Sequence, residues 1–317
     1  MKKIIRSLLF VAFLSLTLAP EARSEDKYLS GLDDIYWNME GVPPRDMFDM
    51  GGEDVSYDND LGALVPMKGD VPPPVWKPMI AVVVDDMGVD RRQSERAVRT
   101  LNPSVTLSYL PYSPHVQEQA DAAMALGHEI ILHLPLEPDR GTVNPGPNHL
   151  SIGMTKEQMQ KHLLANLDGF RGYVGVNNHM GSRFSRDRPG VGIVMEEIRK
   201  RGVFFLDSRT TRHTILRKAA QEHGISATYR DVFLDHVEKP EFVAAALDKV
   251  ENIARLKGSA VAIGHPKDMT LEALEAWLPE VETRGFQLVP LSEVLKYRQS
   301  KSAVADTALP EANTTEK

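Results

Sequence analysis

The sequence predicts an α/β protein whose parallel strands form a distorted, incomplete (β/α) barrel of about seven strand–helix units in a single domain. Apolar runs of about four to six residues alternate with helical patterns, and such runs are typical of strands buried in a parallel sheet. Polar residues follow several of these runs directly, from Asp85 near the start to His265 near the end. An open sheet would gather them at one switch point, so their spread along the chain favours a barrel.

The N-terminus has the pattern of an export signal. Lys2, Lys3 and Arg6 precede an apolar stretch over 8–18 that is too short to span a bilayer comfortably. This predicts a signal peptide over residues 1–24, cleaved near Ser24, and a periplasmic protein. An uncleaved membrane anchor is the open alternative, and no transmembrane segment is expected after removal of the signal.

Residues 25–75 are predicted to form an acidic linker rich in proline and glycine. Twelve acidic and three basic residues give this segment a charge of −9, while the whole chain carries −7. Without a basic stripe, no nucleic-acid partner is expected. The aromatic residues Tyr28, Tyr36 and Trp37 leave open a short helix that docks on the main domain, or on an envelope protein partner that residues 25–75 would contact.

The main domain is predicted over residues 76–298, followed by a disordered tail over 299–317. In its first half, Asp90 is expected to cap one helix and Gly127 to end the next. Thr155 and Gln158 form a capping-box pattern that opens the third helix. The predicted strands here lie at 79–85, 105–109 and 130–133, and the predicted helices at 91–101, 115–126 and 155–167.

The second half of the domain continues the alternation. Gly202 and Gly224 are expected to end two helices, and Pro240 occupies a favoured first-turn position in a third. The predicted strands lie at 173–179, 204–207, 227–229, 232–234, 260–264 and 287–290, and the predicted helices at 190–201, 214–223, 240–257, 271–284 and 291–298.

Two adjacent acids, Asp85 and Asp86, end the first strand. Side chains alternate between the faces of a strand, so one acid can bind a metal while its neighbour holds a proton. The competing interpretation is that Asp86 caps the following helix, but Asp90 is better placed for that role. One of the two acids is therefore a candidate metal ligand, and the other a candidate group for holding a proton or a substrate group.

Imidazoles and further acids follow the later strands. His133 is a candidate metal ligand and Glu137 a further ligand or an orienting group, although a histidine in this position alone is more often hydrogen-bonded in a core. His265 is the expected general acid, because an ordinary imidazole pKa lies near 6.5. Asp207 would orient a catalytic group or bind substrate hydroxyls.

His179 lies in a polar loop of a kind that carries binding sites. His179 is therefore a candidate site residue, and the predicted substrate-binding residues are Asn178, Ser182, Arg183 and Ser208. The cysteine-free chain must bind any metal through histidine and carboxylate ligands, which suit zinc and its neighbours in the first transition row. No serine-hydrolase elbow, phosphate-binding loop or dinucleotide fingerprint is present in the sequence.

Over about residues 78–296 these features resemble the divergent polysaccharide deacetylase family. The resemblance rests on six segments, V-V-V-D-D-M-G, L-H-L-P-L-E-P, N-N-H-M-G-S-R-F, F-L-D-S-R-T, D-V-F-L-D and A-I-G-H-P. It implies an incomplete (β/α) barrel that removes acetyl groups from amino sugars with one divalent metal. By the same resemblance, Asp85 is the base, Asp86 a ligand and His265 the general acid.

The chain departs from the superfamily pattern in its second motif. Two histidines four residues apart are usual there, whereas this chain has His133 and Glu137. His179 is expected to supply the missing imidazole, with Glu137 as the weaker candidate. The resemblance thus implies a periplasmic zinc-dependent hydrolase acting on a polysaccharide or peptidoglycan-type glycan. The alternatives are a non-catalytic envelope protein that binds glycan or a cell-wall enzyme, and a different metal hydrolase of cell-wall material.

Overall fold

The computed structural model describes residues 77–139, 141 and 143–307, with side chains to 301. The predicted signal peptide and linker lie outside these residues. The strands are β1 (Met79–Met87), β2 (Thr106–Tyr109), β3 (Ile130–Leu136), β4 (Gly175–Met180), β5 (Phe204–Asp207), β6 (Ala227–Tyr229), β7 (Val232–Phe233), β8 (Ser259–Gly264) and β9 (Gln287–Leu288). The helices are α1 (Arg91–Thr100), α2 (Val116–Ala125), α3 (Lys156–Leu167), α4 (Arg188–Arg201), α5 (Leu216–Glu222), α6 (Pro240–Lys257), α7 (Asp268–Trp277) and α8 (Leu291–Thr307).

One parallel sheet runs through the domain in the order β6-β5-β4-β3-β2-β1-β8-β7, and β9 pairs with the start of β1. The sheet curls into a half-barrel, so the prediction of an incomplete (β/α) barrel in a single domain is confirmed. The described part of the chain contains eight α-helices, against about seven predicted strand–helix units. The carboxyl ends of the strands therefore share one rim.

The two outermost strands, β6 and β7, are consecutive in the chain and are joined only by Arg230 and Asp231. The guanidinium of Arg298 on α8 contacts this junction. It donates to Thr228 Oγ1 at 3.0 Å and to the carbonyl oxygen of Tyr229 at 3.2 Å on β6. It also forms an ion pair with the Asp231 carboxylate. Both strands are parallel to the rest of the sheet, so they follow each other along one extended segment that pairs first with β5 and then with β8. Arg298 anchors α8 to this segment.

Residues of each strand alternate between two apolar layers. In β1, Val82 and Val84 belong to the larger layer beneath the outer helices, whereas Ala81 and Val83 belong to a smaller inner cluster. The inner cluster also contains apolar residues of α8, namely Leu291, Val294 and Leu295. The helix α8 therefore packs against the concave face of the sheet. Along each strand, the side chain two residues after the last member of the inner cluster lies on the same face, at the rim.

Several predicted helix ends are confirmed. The Asp90 side chain accepts a hydrogen bond from the backbone of Gln93, and Thr155 and Gln158 form the reciprocal capping box. One predicted boundary is wrong, because α8 continues to Thr307 and residues 299–307 are helical rather than disordered. No glycine or proline interrupts the sequence between Pro290 and Pro310, so no local feature stops the helix at 298.

No helix within residues 77–139, 141 and 143–307 combines the length and the apolar character that crossing a bilayer requires.

Candidate metal centre

Three side chains from the rim form a compact cluster of metal-ligand type, namely Asp86, His133 and His179. The Oδ1 atom of Asp86 lies 2.9 Å from Nδ1 of His179 and 3.3 Å from Nε2 of His133. The two imidazole nitrogens are 3.2 Å apart. One potential ligand atom from each residue lies within 4.8 Å of the others. The structure thus brings together the three residues that the sequence suggested as ligands.

An extra residue in β1 places Asp86 in this cluster. Val84 pairs with Leu107, but the next pair is Met87 with Tyr109, so β1 advances three positions while β2 advances two. Asp86 has a φ of +56°, a left-handed conformation that aspartate tolerates better than most residues. Such a bulge re-aims a side chain, and here both Asp85 and Asp86 reach the site despite the alternation of faces.

The cluster has the chemistry that a zinc-class ion requires. Although two ring nitrogens lie near it, the buried Oδ1 of Asp86 accepts no hydrogen bond of acceptable geometry from the described residues. Burial would raise the pKa of Asp86, but the adjacent His133 and His179 hold it far below its usual range. Two imidazoles and one carboxylate are a common donor set for zinc with an open position. The residues present therefore fit such an ion.

The two histidines differ in their electrostatic surroundings. Burial lowers the pKa of His179, which favours the neutral ring that a metal ligand needs. Burial also opposes a charge on His133, but Asp85 and Asp86 outweigh it and raise the pKa of that ring. The cluster without metal can therefore hold one proton between two imidazoles, and metal binding would release it.

Asp85 lies beside the cluster and is almost completely buried. Its Oδ1 accepts a hydrogen bond of 2.8 Å from Nδ2 of Asn177, and its Oδ2 is 3.6 Å from Nε2 of His133. Asn177 also contacts the other side of that ring, with Oδ1 at 2.8 Å from Nδ1 of His133. One amide therefore connects the candidate base to a candidate ligand.

His265 approaches the cluster from the end of β8, on the other side of Asp86. Its Nε2 is 3.8 Å from Oδ2 of Asp86, and its Nδ1 is 2.9 Å from Oδ1 of Asp235. Burial would lower the pKa of His265, but the bond to Asp235 and the charges of Asp86 and Asp85 raise it to about 9. Burial likewise opposes the charge of Asp235, yet its bonds to His265 keep its pKa below the usual range. His265 is therefore protonated at neutral pH.

Glu137 and Asp207 do not join the cluster. Glu137 accepts hydrogen bonds from Arg183 and from the backbone of Ile152, both at 2.7 Å, so it stabilises the loop after β3 instead of orienting His133. Asp207 accepts from three groups of its own loop, at Arg209, Thr214 and Arg217. The predicted catalytic role of Asp207 is thus not supported by its contacts, which anchor the loop after β5.

The predicted substrate-binding residues occupy different positions. Both ends of the Asn178 amide are engaged within the protein, since Oδ1 accepts from the backbone of Ser208 and Nδ2 donates to the carbonyl of Met180. The hydroxyl of Ser182 accepts from the backbone of Asp139, and that of Ser208 accepts from Asn177. Arg183 is exposed and pairs with Glu137. Their roles in substrate binding stay predictions.

Two residues with direct contacts to the candidate catalytic groups were not among the predicted site residues, Asn177 and Asp235. Asp235 accepts hydrogen bonds from the backbone of His265 and from Thr270 in addition to the imidazole. Their position in the sequence could have indicated them. Asp235 is the last residue of the D-V-F-L-D segment, and Asn177 lies two residues after Gly175, on the same face of the strand. An acid or amide at a strand end on the inner face is expected to reach the rim.

Comparison with known proteins agrees with this geometry. A family model described as divergent polysaccharide deacetylase matches residues 82–295. The uncharacterized protein YibQ of Escherichia coli K12 is 30% identical over 246 residues, which cover 76% of this chain and 73% of that protein. An uncharacterized protein of Haemophilus influenzae is 30% identical over 199 residues, which cover 63% of this chain and 70% of that protein.

The fold is also found in a crystal structure of an uncharacterized protein from Agrobacterium tumefaciens C58. It aligns with a TM-score of 0.67 and 30% sequence identity, and the alignment covers 69% of this chain and 89% of that one. The matched residues include both strand-end acids and all three histidines of the site. This chain therefore belongs to the divergent polysaccharide deacetylase family.

Proposed function

We propose that this chain is a zinc-dependent hydrolase of the periplasm that removes acetyl groups from an envelope or other polysaccharide. One observation carries the proposal: Asp86, His133 and His179 form a ligand cluster flanked by Asp85 and His265. A ligand set, a base and an acid are the groups that metal-assisted hydrolysis of an amide or ester requires. Family membership supports a polysaccharide as the substrate class.

In this proposal the ligands hold one divalent ion. When bound, a zinc ion would polarise an acetyl carbonyl and make a water molecule more acidic. Asp85 would accept the proton of the attacking water at its Oδ2 atom, because its Oδ1 is already held by Asn177. Asp85 is buried among polar groups of the rim, so its carboxylate is fixed in one orientation before substrate binds.

His265 would act as the general acid. Its Nδ1–H donates to Asp235, which leaves the Nε2–H directed toward the cluster, where the leaving nitrogen or oxygen would accept the proton. A pKa raised to about 9 keeps this proton in place at neutral pH before the reaction. Asp235 is a positioning group in this scheme, since it contacts the imidazole and not the reacting atoms.

The proposed location rests on the N-terminal pattern, in which three basic residues precede a short apolar stretch and small residues surround Ser24. Fractionation of cells that express the full chain with a C-terminal epitope tests it. Recovery of a shortened chain in the osmotic-shock fluid is expected, and recovery of the full-length chain in the membrane pellet would instead support the uncleaved anchor.

The activity is tested with the mature chain, purified after zinc loading. We expect about one zinc per chain and the release of acetate from at least one of three acetylated polymers, namely chitin oligomers, peptidoglycan and acetylated xylan. Zinc binding without acetate release from any of them would favour the non-catalytic glycan-binding alternative. Absence of stoichiometric zinc would contradict the proposal itself.

A further inference from the structure

Asn177 is a fully buried amide that touches both halves of the site. Its Nδ2 donates to Oδ1 of Asp85 at 2.8 Å and to the hydroxyl of Ser208 at 3.1 Å. Its Oδ1 lies 2.8 Å from Nδ1 of His133 and accepts from the hydroxyl of Ser108 at 2.6 Å. All polar positions of this side chain are therefore occupied, by residues of β1, β2 and β3 and by the residue that follows β5.

The chemistry of Asp85 decides which way the amide faces. An ionised carboxylate only accepts hydrogen bonds, so the nitrogen of Asn177 must face Asp85 and the oxygen must face His133. An amide oxygen only accepts, so Nδ1 of His133 must carry the hydrogen. In the neutral ring this leaves the lone pair on Nε2, the atom that lies 3.3 Å from Asp86.

We propose that Asn177 is a positioning residue that fixes His133 in the tautomer needed for metal binding and, with the same side chain, holds Asp85 in place as the base. This inference rests on the proposed function, in which His133 is a ligand and Asp85 accepts a proton. A purely structural amide would stabilise the fold in the same way as any other buried asparagine, and it would have no specific effect on zinc affinity.

Asn166 offers the matched control for that distinction. It is buried to the same degree as Asn177, and its Nδ2 donates to the carbonyls of Asn148 and His162, away from the cluster. Asn177→Ala and Asn166→Ala therefore remove the same group from similarly buried positions. Zinc affinity of the mature chain is measured by competition with a chromogenic chelator. We expect Asn177→Ala to weaken it about 10- to 100-fold, and Asn166→Ala to leave it unchanged.

Asn177→Asp separates the two halves of the role and keeps the size of the side chain. An aspartate still offers an oxygen to Nδ1 of His133, but its second oxygen lies against Oδ1 of Asp85, so the two carboxylates must share one proton and Asp85 is lost as a free base. We expect zinc affinity within about threefold of wild type or tighter, because carboxylates orient ligating histidines well. With an acetylated substrate, kcat should fall roughly 100-fold while KM changes little, as for loss of the base.

The outcomes distinguish this inference from the proposed function. Equal zinc affinity of wild type and Asn177→Ala would overturn the inference alone, as would a loss of affinity in Asn177→Asp that matches the alanine variant. If Asn177→Ala does not fold, the isosteric aspartate variant decides the question. Wild-type protein that binds zinc without hydrolysing any substrate would refute the activity but leave the affinity comparison valid. Wild-type protein that binds no zinc would overturn both.

Discussion

At the scale of single residues, one inserted position in β1 separates the tasks of two adjacent acids. The side chain of Asp85 lies on the inner face of β1, as do those of Ala81 and Val83, and it is buried against Asn177. Asp86, in its left-handed conformation, turns toward the two imidazoles. The same dipeptide thus supplies an acceptor fixed by an amide and a carboxylate available to an ion, although regular alternation would have sent them to opposite faces.

The ligand assignment predicts the effect of removing one imidazole. His179→Ala and His133→Ala should each weaken zinc binding by roughly 100-fold or more, because a ligand of a three-residue site is lost. His162→Ala is the control, since that ring bonds to the carbonyl of His149 outside the cluster. Zinc content after gel filtration measures the effect. Unchanged zinc in both His133→Ala and His179→Ala would refute the assignment.

The base assignment predicts a loss of turnover without a loss of metal. Asp85→Asn keeps the size of the side chain and leaves the three ligand residues intact, so zinc content should stay at the wild-type level. Turnover should fall roughly 100-fold or more, as expected when a general base is removed. Acetate release at saturating substrate measures it, and near-normal turnover by Asp85→Asn on a verified substrate would reject this role.

The Asp235–His265 pair predicts how stability depends on pH. The pKa of His265 is raised from 6.5 to about 9, so its contribution is complete below pH 6.5 and is lost as pH rises through 9. The pKa of Asp235 is lowered from 3.8, so its contribution is lost only as pH falls below that value. We expect the metal-free chain to lose on the order of 2 kcal/mol, or roughly 5 °C in its unfolding midpoint, between pH 6.5 and 9.

Asp235→Asn provides the comparison, because it removes the charge that raises the pKa of His265 most directly. Its unfolding midpoint should change less across the same pH range in thermal melts of metal-free protein. Parallel curves for the wild type and the variant would show that the pair does not stabilise the fold in the proposed manner.

The alternation of side chains between the two faces of each strand explains which site residues could be predicted from sequence. Strand-end position correctly indicated the cluster residues, but polarity alone favoured Asn178 and Asp207 over their neighbours. Val176 and Phe205 belong to the outer layer, and a side chain two residues later lies on the same face of a strand. The side chains of Asn178 and Asp207 therefore lie on the outer face. The side chain of Asn177 lies on the inner face. The bulge that re-aims Asp86 could not be predicted, because it depends on pairing with β2.

At the scale of elements, Arg298 anchors α8 to the junction between β6 and β7. Its partner Asp231 is buried, with a side chain only 2% exposed, and the nearest other cation, Nζ of Lys257, is 3.8 Å away. Removing Arg298 leaves the buried Asp231 carboxylate with only the longer ion pair to Lys257 and the backbone N–H of Val261, which is costly. The last helix therefore contributes more to stability than its position at the end of the domain suggests.

Arg298→Ala is expected to destabilise the domain by about 3 kcal/mol and to lower the unfolding midpoint by roughly 6–12 °C. Arg298→Lys keeps the charge but cannot reach several acceptors with a planar fork, so an intermediate loss is expected. Arg91→Ala is the control, because its ion pair with Glu95 lies on the surface and should leave the midpoint unchanged. Equal midpoints for Arg298→Ala and wild type would contradict this account.

At the scale of the whole domain, alternation and short apolar runs predicted the strand–helix order, and the spread of the polar strand ends along the chain favoured a barrel over an open sheet. The elements with the weakest local patterns were also found, including β6, β7 and β9, since turn residues bound each of them. The end of α8 could not be predicted, because no glycine or proline lies between residue 298 and residue 307 to mark it.

Zinc should stabilise the domain as a whole, because a site built from β1, β3 and β4 exists only when the sheet is formed. At a free zinc concentration of about 100 times the dissociation constant, the expected gain is roughly 2.7 kcal/mol, or about 5–10 °C. Thermal melts with zinc and with a chelator measure it. The shift should disappear in His179→Ala, and an equal shift in that variant would place zinc elsewhere on the chain.

The short strands at the edges of the sheet affect how readily copies of this protein associate at high concentration. An unpaired strand edge is a template for association with another chain, and long, flat edges promote aggregation. Here the two edges are β6 with three residues and β7 with two, and Arg298 already occupies the carbonyl of Tyr229. Within the described residues the sheet therefore offers only short edges for intermolecular pairing, and we expect the domain to resist edge-to-edge association.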